Sequence, residues 1–183
     1  MPSLRAITFP YDPAKGAQAI MWLLKRHKGH LSKLSLIKLL YLADKEHLSK
    51  YGRPIVGGQY YALPHGPVSS ELLNHVDSAK SKGSYPFFQE NNQICADTDC
   101  DCDELSQSDI EILNKIDHEH GSWTASRLRG FTHSLKEWAS NWSQKKDGTQ
   151  RHPISYEDLF CGEKDEAMLE VVRDEQEAWA DFD

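Results

Sequence analysis

Ser32-Lys33-Leu34-Ser35-Leu36-Ile37-Lys38-Leu39-Leu40-Tyr41-Leu42-Ala43-Asp44-Lys45-Glu46-His47-Leu48-Ser49-Lys50 reads as one long helix. Leu36, Leu39, Leu40, Ala43 and His47 fall on one face at helical spacing. Leu34, Ile37 and Tyr41 widen that face beyond the stripe of a surface helix, so the helix is expected to be nearly surrounded by protein. Gly52 follows as a stop and Pro54 prevents a restart. A helix buried on most sides needs neighbours, and the sequence supplies them in both directions.

Upstream, Asp12 can cap a first helix with Pro13 at its first position, where a missing N–H costs nothing. Ala17, Ile20, Met21 and Leu24 recur at helical spacing, and Gly29 ends the run. Downstream, Ile55 to Leu63 is rich in β-branched and aromatic residues and reads as extended. In Pro64-His65-Gly66-Pro67-Val68 the glycine permits a tight turn, and Pro67 is expected to open a third helix through Leu72, Leu73 and Val76. Phe87-Phe88 and Gln93-Ile94-Cys95 flank Asn91-Asn92 as a small hairpin would. Ser108 with Glu111 forms a capping-box pattern before Ile112, Leu113 and Ile116. Short helices are expected at Thr124–Leu128, Ser134–Trp142 and after Ser155. An acidic one over 163–179 would carry a thin stripe of Leu169, Val172 and Trp179. The expected class is mainly α (α+β), a compact helical domain with a small antiparallel β element.

The 183 residues are 39% hydrophobic and 27% charged, enough to bury a core in a single domain. The net charge of −7 argues against a general nucleic-acid coat protein. Residues 1–60 hold ten Lys/Arg against three Asp/Glu, residues 61–154 nine against fourteen, and residues 155–183 two against eleven. A basic front and an acidic tail imply self-neutralisation in the fold or a polarised surface. The basic run Lys25-Arg26-His27-Lys28 sits at a helix end, where positive charge suits the helix dipole. The most apolar run, Leu34 to Ala43, is interrupted by Ser35, Lys38 and Tyr41 and is too short for a membrane span. The N-terminus lacks the apolar stretch of a secretion signal. The four cysteines then read as reduced thiols, and the expected location is cytoplasmic.

No reaction announces itself. Cys95, Cys100 and Cys102 with His118 and His120 have poor spacing for structural zinc. Asp97, Asp99, Asp101 and Asp103 alternate like calcium ligands, but the loop lacks glycine at its sixth position and has Ser108 at its twelfth. There is no nucleophile elbow, phosphate loop, dinucleotide fingerprint or His-Glu-x-x-His. The expectation is a protein with no metal, no cofactor and no enzymatic activity; an uncharacterised enzyme would instead need a deep pocket with convergent titratable groups. His47, on a largely apolar helix, reads as a hydrogen-bonded core histidine. Tyr41, Tyr51 and Tyr61 each offer an apolar body with a hydroxyl that needs a partner. Arg53 can pair with Asp44 or with helix-end carbonyls.

An ordered set of short motifs adds a resemblance. Lys38-Leu39-Leu40-Tyr41-Leu42-Ala43-Asp44, His47-Leu48, Tyr51-Gly52-Arg53-Pro54-Ile55, Tyr61-Ala62 and Gly66-Pro67-Val68 follow one another. Thr8-Phe9 with Ala14 and Ala17 precedes them. Leu105-Ser106, Ser108-Asp109, Thr132-His133 with Trp138, and Pro153-Ile154-Ser155 come after. The set resembles the Panacea domain of SocA-like and phage-associated antitoxins over roughly residues 8–160. The resemblance implies the neutralising member of a toxin–antitoxin pair, which binds a small toxin directly. The SocA-type member implies an alternative, an adaptor that delivers its toxin to an ATP-dependent protease. Many relatives add a DNA-binding helix-turn-helix; the matched region leaves no room for one here, so autoregulation by this chain is not expected.

On this reading residues 1–162 form the Panacea-like domain and residues 163–183 an acidic helix or tail. The partner is a cognate protein toxin, with a protease component in the alternative; neither membrane nor nucleic acid is expected. Arg53, Tyr60, Tyr61 and His65, around the extended segment and its turn, are the expected surface-available partner-binding residues, because loops carry function and Tyr and Arg are enriched at interface hot spots. The tail would pack on the basic N-terminal helices, imitate a polyanion in a toxin's basic site, or otherwise fray.

Overall fold

The computed structural model describes residues 5–83, 85–99, 101–162 and 165–180. Among them the helices are α1 (Pro13–Arg26), α2 (Lys33–Tyr51), α3 (Ser70–Ser78), α4 (Gln107–His120), α5 (Ala125–Ser134), α6 (Lys136–Ser143), α7 (Tyr156–Leu159) and α8 (Glu166–Ala180). The strands are β1 (His30–Ser32), β2 (Tyr60–Leu63), β3 (Gly66–Ser69), β4 (Phe88–Glu90), β5 (Gln93–Cys95) and β6 (His152–Ile154). They make two antiparallel three-stranded sheets, ordered β1-β5-β4 and β3-β2-β6. The fold is mainly α with a small antiparallel β element, as the sequence led us to expect.

The central helix is α2. Ser32 caps it by accepting the Ser35 N–H, and Gly52 closes it in the left-handed conformation at φ 73°. Leu36, Leu39, Leu40 and Leu48 are at most 1% exposed. Burying such a side chain contributes about 1.5–3 kcal/mol. The flanking helices α1, α4 and α5 and the β3-β2-β6 sheet surround α2, which explains why polar residues on it, Lys38, Asp44 and His47, are buried too.

Three local expectations are corrected. Pro67 does not open a helix; it lies in β3 opposite Ala62. β3 is the edge of its sheet, where a proline's missing N–H is tolerated. The helix begins at Ser70 instead, and the Ser69 hydroxyl accepts the Leu72 N–H. The α4 capping box uses Ser106 and Asp109 rather than Ser108 and Glu111: Ser106 Oγ accepts the Asp109 N–H at 3.2 Å, and Asp109 Oδ2 accepts the Ser106 N–H at 2.9 Å. Finally, α5 continues to Ser134, well beyond Leu128.

Much of the basic charge of the first sixty residues is paired with the middle of the chain. Basic residues of the first sixty pair with acidic residues further along: Lys15 with Asp109, Lys25 with Asp99, Arg26 and His27 with Asp117, Lys33 with Asp77, Lys45 with Glu137 and Lys50 with Glu111. The run at the end of α1 thus faces acidic partners. The acidic helix α8 docks on the end of α2, where Val172 and Met168 lie against Gly52. Gln176 exchanges hydrogen bonds with the Thr8 backbone at 3.1 and 2.8 Å. Its expected apolar stripe is only partly buried: Val172 is 2% exposed and Trp179 75%. Among the described residues, no helix is long and apolar enough to cross a membrane.

Candidate partner-binding site

The motif residues of α2 first hold the segment that leaves it. Asp44 Oδ1 accepts the N–H groups of Ile55 and Val56 at 2.8 and 2.9 Å, and Oδ2 accepts that of Gly57 at 3.3 Å. The Tyr60 hydroxyl also donates to Asp44. Burial pushes the Asp44 carboxyl up to about 6, while these hydrogen bonds hold it down from climbing further.

Tyr60 was expected at the surface and is 2% exposed. Side chains alternate along a strand. In β2 that alternation turns Tyr60 and Ala62 inward and leaves Tyr61 and Leu63 half-buried. Tyr60 then packs edge-on against Tyr41 and Tyr156, with centroids 5.8 and 5.3 Å away. It supports the surface from beneath and is not part of it.

Arg53 does not pair with Asp44, whose oxygens are already occupied. It donates to Asp109 Oδ1 and Ser106 Oγ, both at 3.1 Å, across the start of α4. His47 is fully buried there, as its place on the helix implied: Nδ1 donates to Arg53 O at 2.7 Å, and Nε2 lies 3.1 Å from both Ser108 Oγ and Asp109 Oδ1. Burial would raise the Asp109 carboxyl, but hydrogen bonds from His47, Lys15 and Ser106 outweigh it and hold the group well below the usual carboxylate range. The three tyrosines expected to need partners have them: Tyr41 donates to Glu137 at 2.8 Å, Tyr51 to Glu111 at 2.8 Å and Tyr61 to Gln59 at 3.1 Å.

The other end of α2 meets the β2–β3 hairpin. His65 is exposed at its turn. Gly66 adopts φ 101°, and a Cβ there would lie 2.9 Å from both Lys38 Nζ and Thr132 Oγ1. Three hairpin carbonyls are held by side chains from three helices. Lys38 donates to Pro67 O at 2.7 Å, Arg129 to Pro64 O at 3.3 Å and Trp138 Nε1 to Leu63 O at 3.0 Å. The His133 ring stacks on Trp138 with centroids 3.9 Å apart, and Trp138 stacks on Trp142 at 5.6 Å. Burial, reinforced by the Arg129 charge, lowers Lys38 to about 7. On the outer face of β2, the Arg151 guanidinium lies 3.7 Å from the centroid of the Tyr61 ring.

Lys38, Gly66-Pro67, Thr132-His133 and Trp138, distant in sequence, therefore converge on one hairpin. The profile of the family described as Antitoxin SocA-like, Panacea domain, matches residues 36–139, from α2 into α6. The chain belongs to this family. Neither a curated protein nor a solved structure matches it. The matched span of the Panacea domain contains both ends of the α2 framework; residues 8–35 and 140–160, part of the broader resemblance, lie outside it.

Of the sequence-derived contact residues in this Panacea domain, Tyr61 and His65 share the hairpin. Arg53 lies beyond the opposite end of α2, about 20 Å from Lys38 at the rise of an α-helix. Sequence reasoning did not single out Arg129 or give Lys38 a role; the latter's place inside an otherwise apolar helix was the available signal. Among the described residues, no three His, Cys, Asp or Glu side chains gather where they could hold a metal. Cys95 lies in β5 and Cys102 in the loop before α4, while Cys100 falls outside the described residues.

Proposed function

We propose that this Panacea domain is an antitoxin that neutralises a protein toxin by binding it directly. The observation that carries the reading is the family match over residues 36–139. The family is antitoxin-like and not typically enzymatic. The local chemistry supports it: Asp44, His47 and Tyr41 spend their polar atoms on backbone and side-chain partners inside the fold, the usual work of buried polar groups. Exposed surface at the β2–β3 hairpin then supplies the contact. His65 and Tyr61 are its proposed residues, Tyr60 braces the strand below, and Arg53 belongs to a second contact at the far end of α2. Residues 1–162 are the proposed working domain.

The test is co-expression with the product of the adjacent gene. Growth arrest caused by that product, relieved when this chain is present, together with co-purification of the two, is the expected result. A neighbour that never arrests growth, or arrest unaffected by the folded chain, would overturn the reading.

A further inference from the structure

We infer that the pocket between the start of α2, the β2–β3 turn and α3 receives a carboxylate on an apolar stem, presented by the bound partner. The identity of that partner rests on the antitoxin reading; the pocket's chemistry does not. The pocket has a volume of about 340 Å³, and its walls include Leu34, Ile37, Leu63, Val68 and Leu73. Lys38 also lines it, although the residue is only 2% exposed. A lysine ammonium has three N–H donors. Among the described residues, the hydrogen bond made by Lys38 Nζ is the one to Pro67 O. A buried charge is costly unless paired and fully hydrogen-bonded.

The surrounding charges do not supply the missing partner. Arg129 and His133, both close enough to act electrostatically with Lys38, are cationic or neutral, and so is His65 at the rim. Asp77 lines the same pocket, but it is paired with Lys33. The site thus combines an apolar approach with an ammonium short of acceptors, near the Arg129 charge. Gly66 lines the pocket next to Lys38, and its lack of a side chain keeps a Cβ from crowding Nζ at 2.9 Å. An anion arriving there would also restore the ammonium charge that burial disfavours. Apolar walls favour a glutamate-like stem over a fully hydrated inorganic ion.

Hexanoate is a direct probe of this chemistry. The full chain, carrying ¹³C-labelled lysine, is titrated with hexanoate, hexanol and inorganic phosphate while the Lys38 Cε signal is followed by NMR. The signal is assigned with Lys38→Arg. Saturable movement with hexanoate, at least tenfold weaker effects of hexanol and phosphate, and loss of the response in Leu73→Trp, which fills the pocket, are expected. No saturable movement overturns the proposal. Equal binding of hexanol shows that charge is not read, and equal binding of phosphate shows that the stem is not; either result overturns it as well. If Lys38→Arg does not fold, the loss of hexanoate response in folded Leu73→Trp carries the same decision. No toxin is needed, so failure here leaves the antitoxin reading standing, and failure to relieve growth arrest leaves the pocket standing.

Discussion

Asp44 Oδ1 accepts the backbone N–H of Ile55 at 2.8 Å, eleven residues further along the chain. That bond, with those from Val56, Gly57 and Tyr60, fixes how the segment leaves α2 and where β2 begins. Asp44→Ala would leave these donors without an acceptor and is expected to cost about 3–5 kcal/mol. Asp44→Asn keeps one oxygen and should cost less, about 1–3 kcal/mol. Urea unfolding measures both; an unchanged midpoint in Asp44→Ala would show that the anchor is not holding the fold.

The buried lysine gives a pH signature. Lys38 is lowered from 10.5 to about 7 in the folded chain, chiefly by burial. Between those values the unfolded chain binds a proton that the folded chain does not, so this group makes stability rise with pH. The gain is complete above the unfolded value and lost as pH falls through about 7. Lys38→Met should remove this slope, with the variant gaining on wild type by on the order of a few kcal/mol at pH 6 relative to pH 10. Parallel stability profiles for the two proteins between pH 6 and 10 would contradict the assignment.

Two glycines should respond with opposite signs. Gly66 has φ 101° and no room for a Cβ between Lys38 and Thr132. Gly66→Ala is expected to destabilise by about 2–4 kcal/mol, combining the unfavourable backbone with overpacking. Gly130, inside α5, has nothing within 4 Å of an added Cβ. Gly130→Ala should therefore stabilise by about 0.5–1 kcal/mol. Thermal melts of the pair check both signs.

The contrast between long and short elements explains how much was legible. α2 spans nineteen residues, so its apolar spacing, cap and stop reinforce one another, and the expected burial of Leu40 and His47 follows from that periodicity. β1 and β6 have three residues each, too few to establish an alternation, and exist because partner strands reach them. Pro67 was misread because a proline can start a helix or occupy an edge strand, and only the pairing of β2 with β3 decides between these. Tyr60 was misplaced for the same reason: which face of a strand is buried depends on register. At the candidate site, the exposure of His65 followed from its Gly/Pro turn. The gathering of Lys38, Arg129 and His133 depends on how α2 and α5 pack, which no local pattern contains.

The acidic helix offers a further contrast on one element. Val172 is buried against Gly52, whereas Trp179 is largely exposed. Val172→Ala should cost about 1–3 kcal/mol by loss of packing. Trp179→Ala should stay within about 0.5 kcal/mol of the parent. A large loss with Trp179→Ala would mean that the tail docks differently.

The most direct test of direct neutralisation uses purified components. The product of the adjacent gene is mixed with this chain in the absence of any protease or ATP, and toxin activity and complex formation are read together. Stoichiometric loss of toxin activity in a stable complex is expected, with binding at least thirtyfold weaker for the folded His65→Ala/Tyr61→Ala double variant, as loss of about 2 kcal/mol at a hot spot implies. Undiminished toxin activity beside the folded chain, with neutralisation regained only when an ATP-dependent protease is supplied, would contradict direct neutralisation.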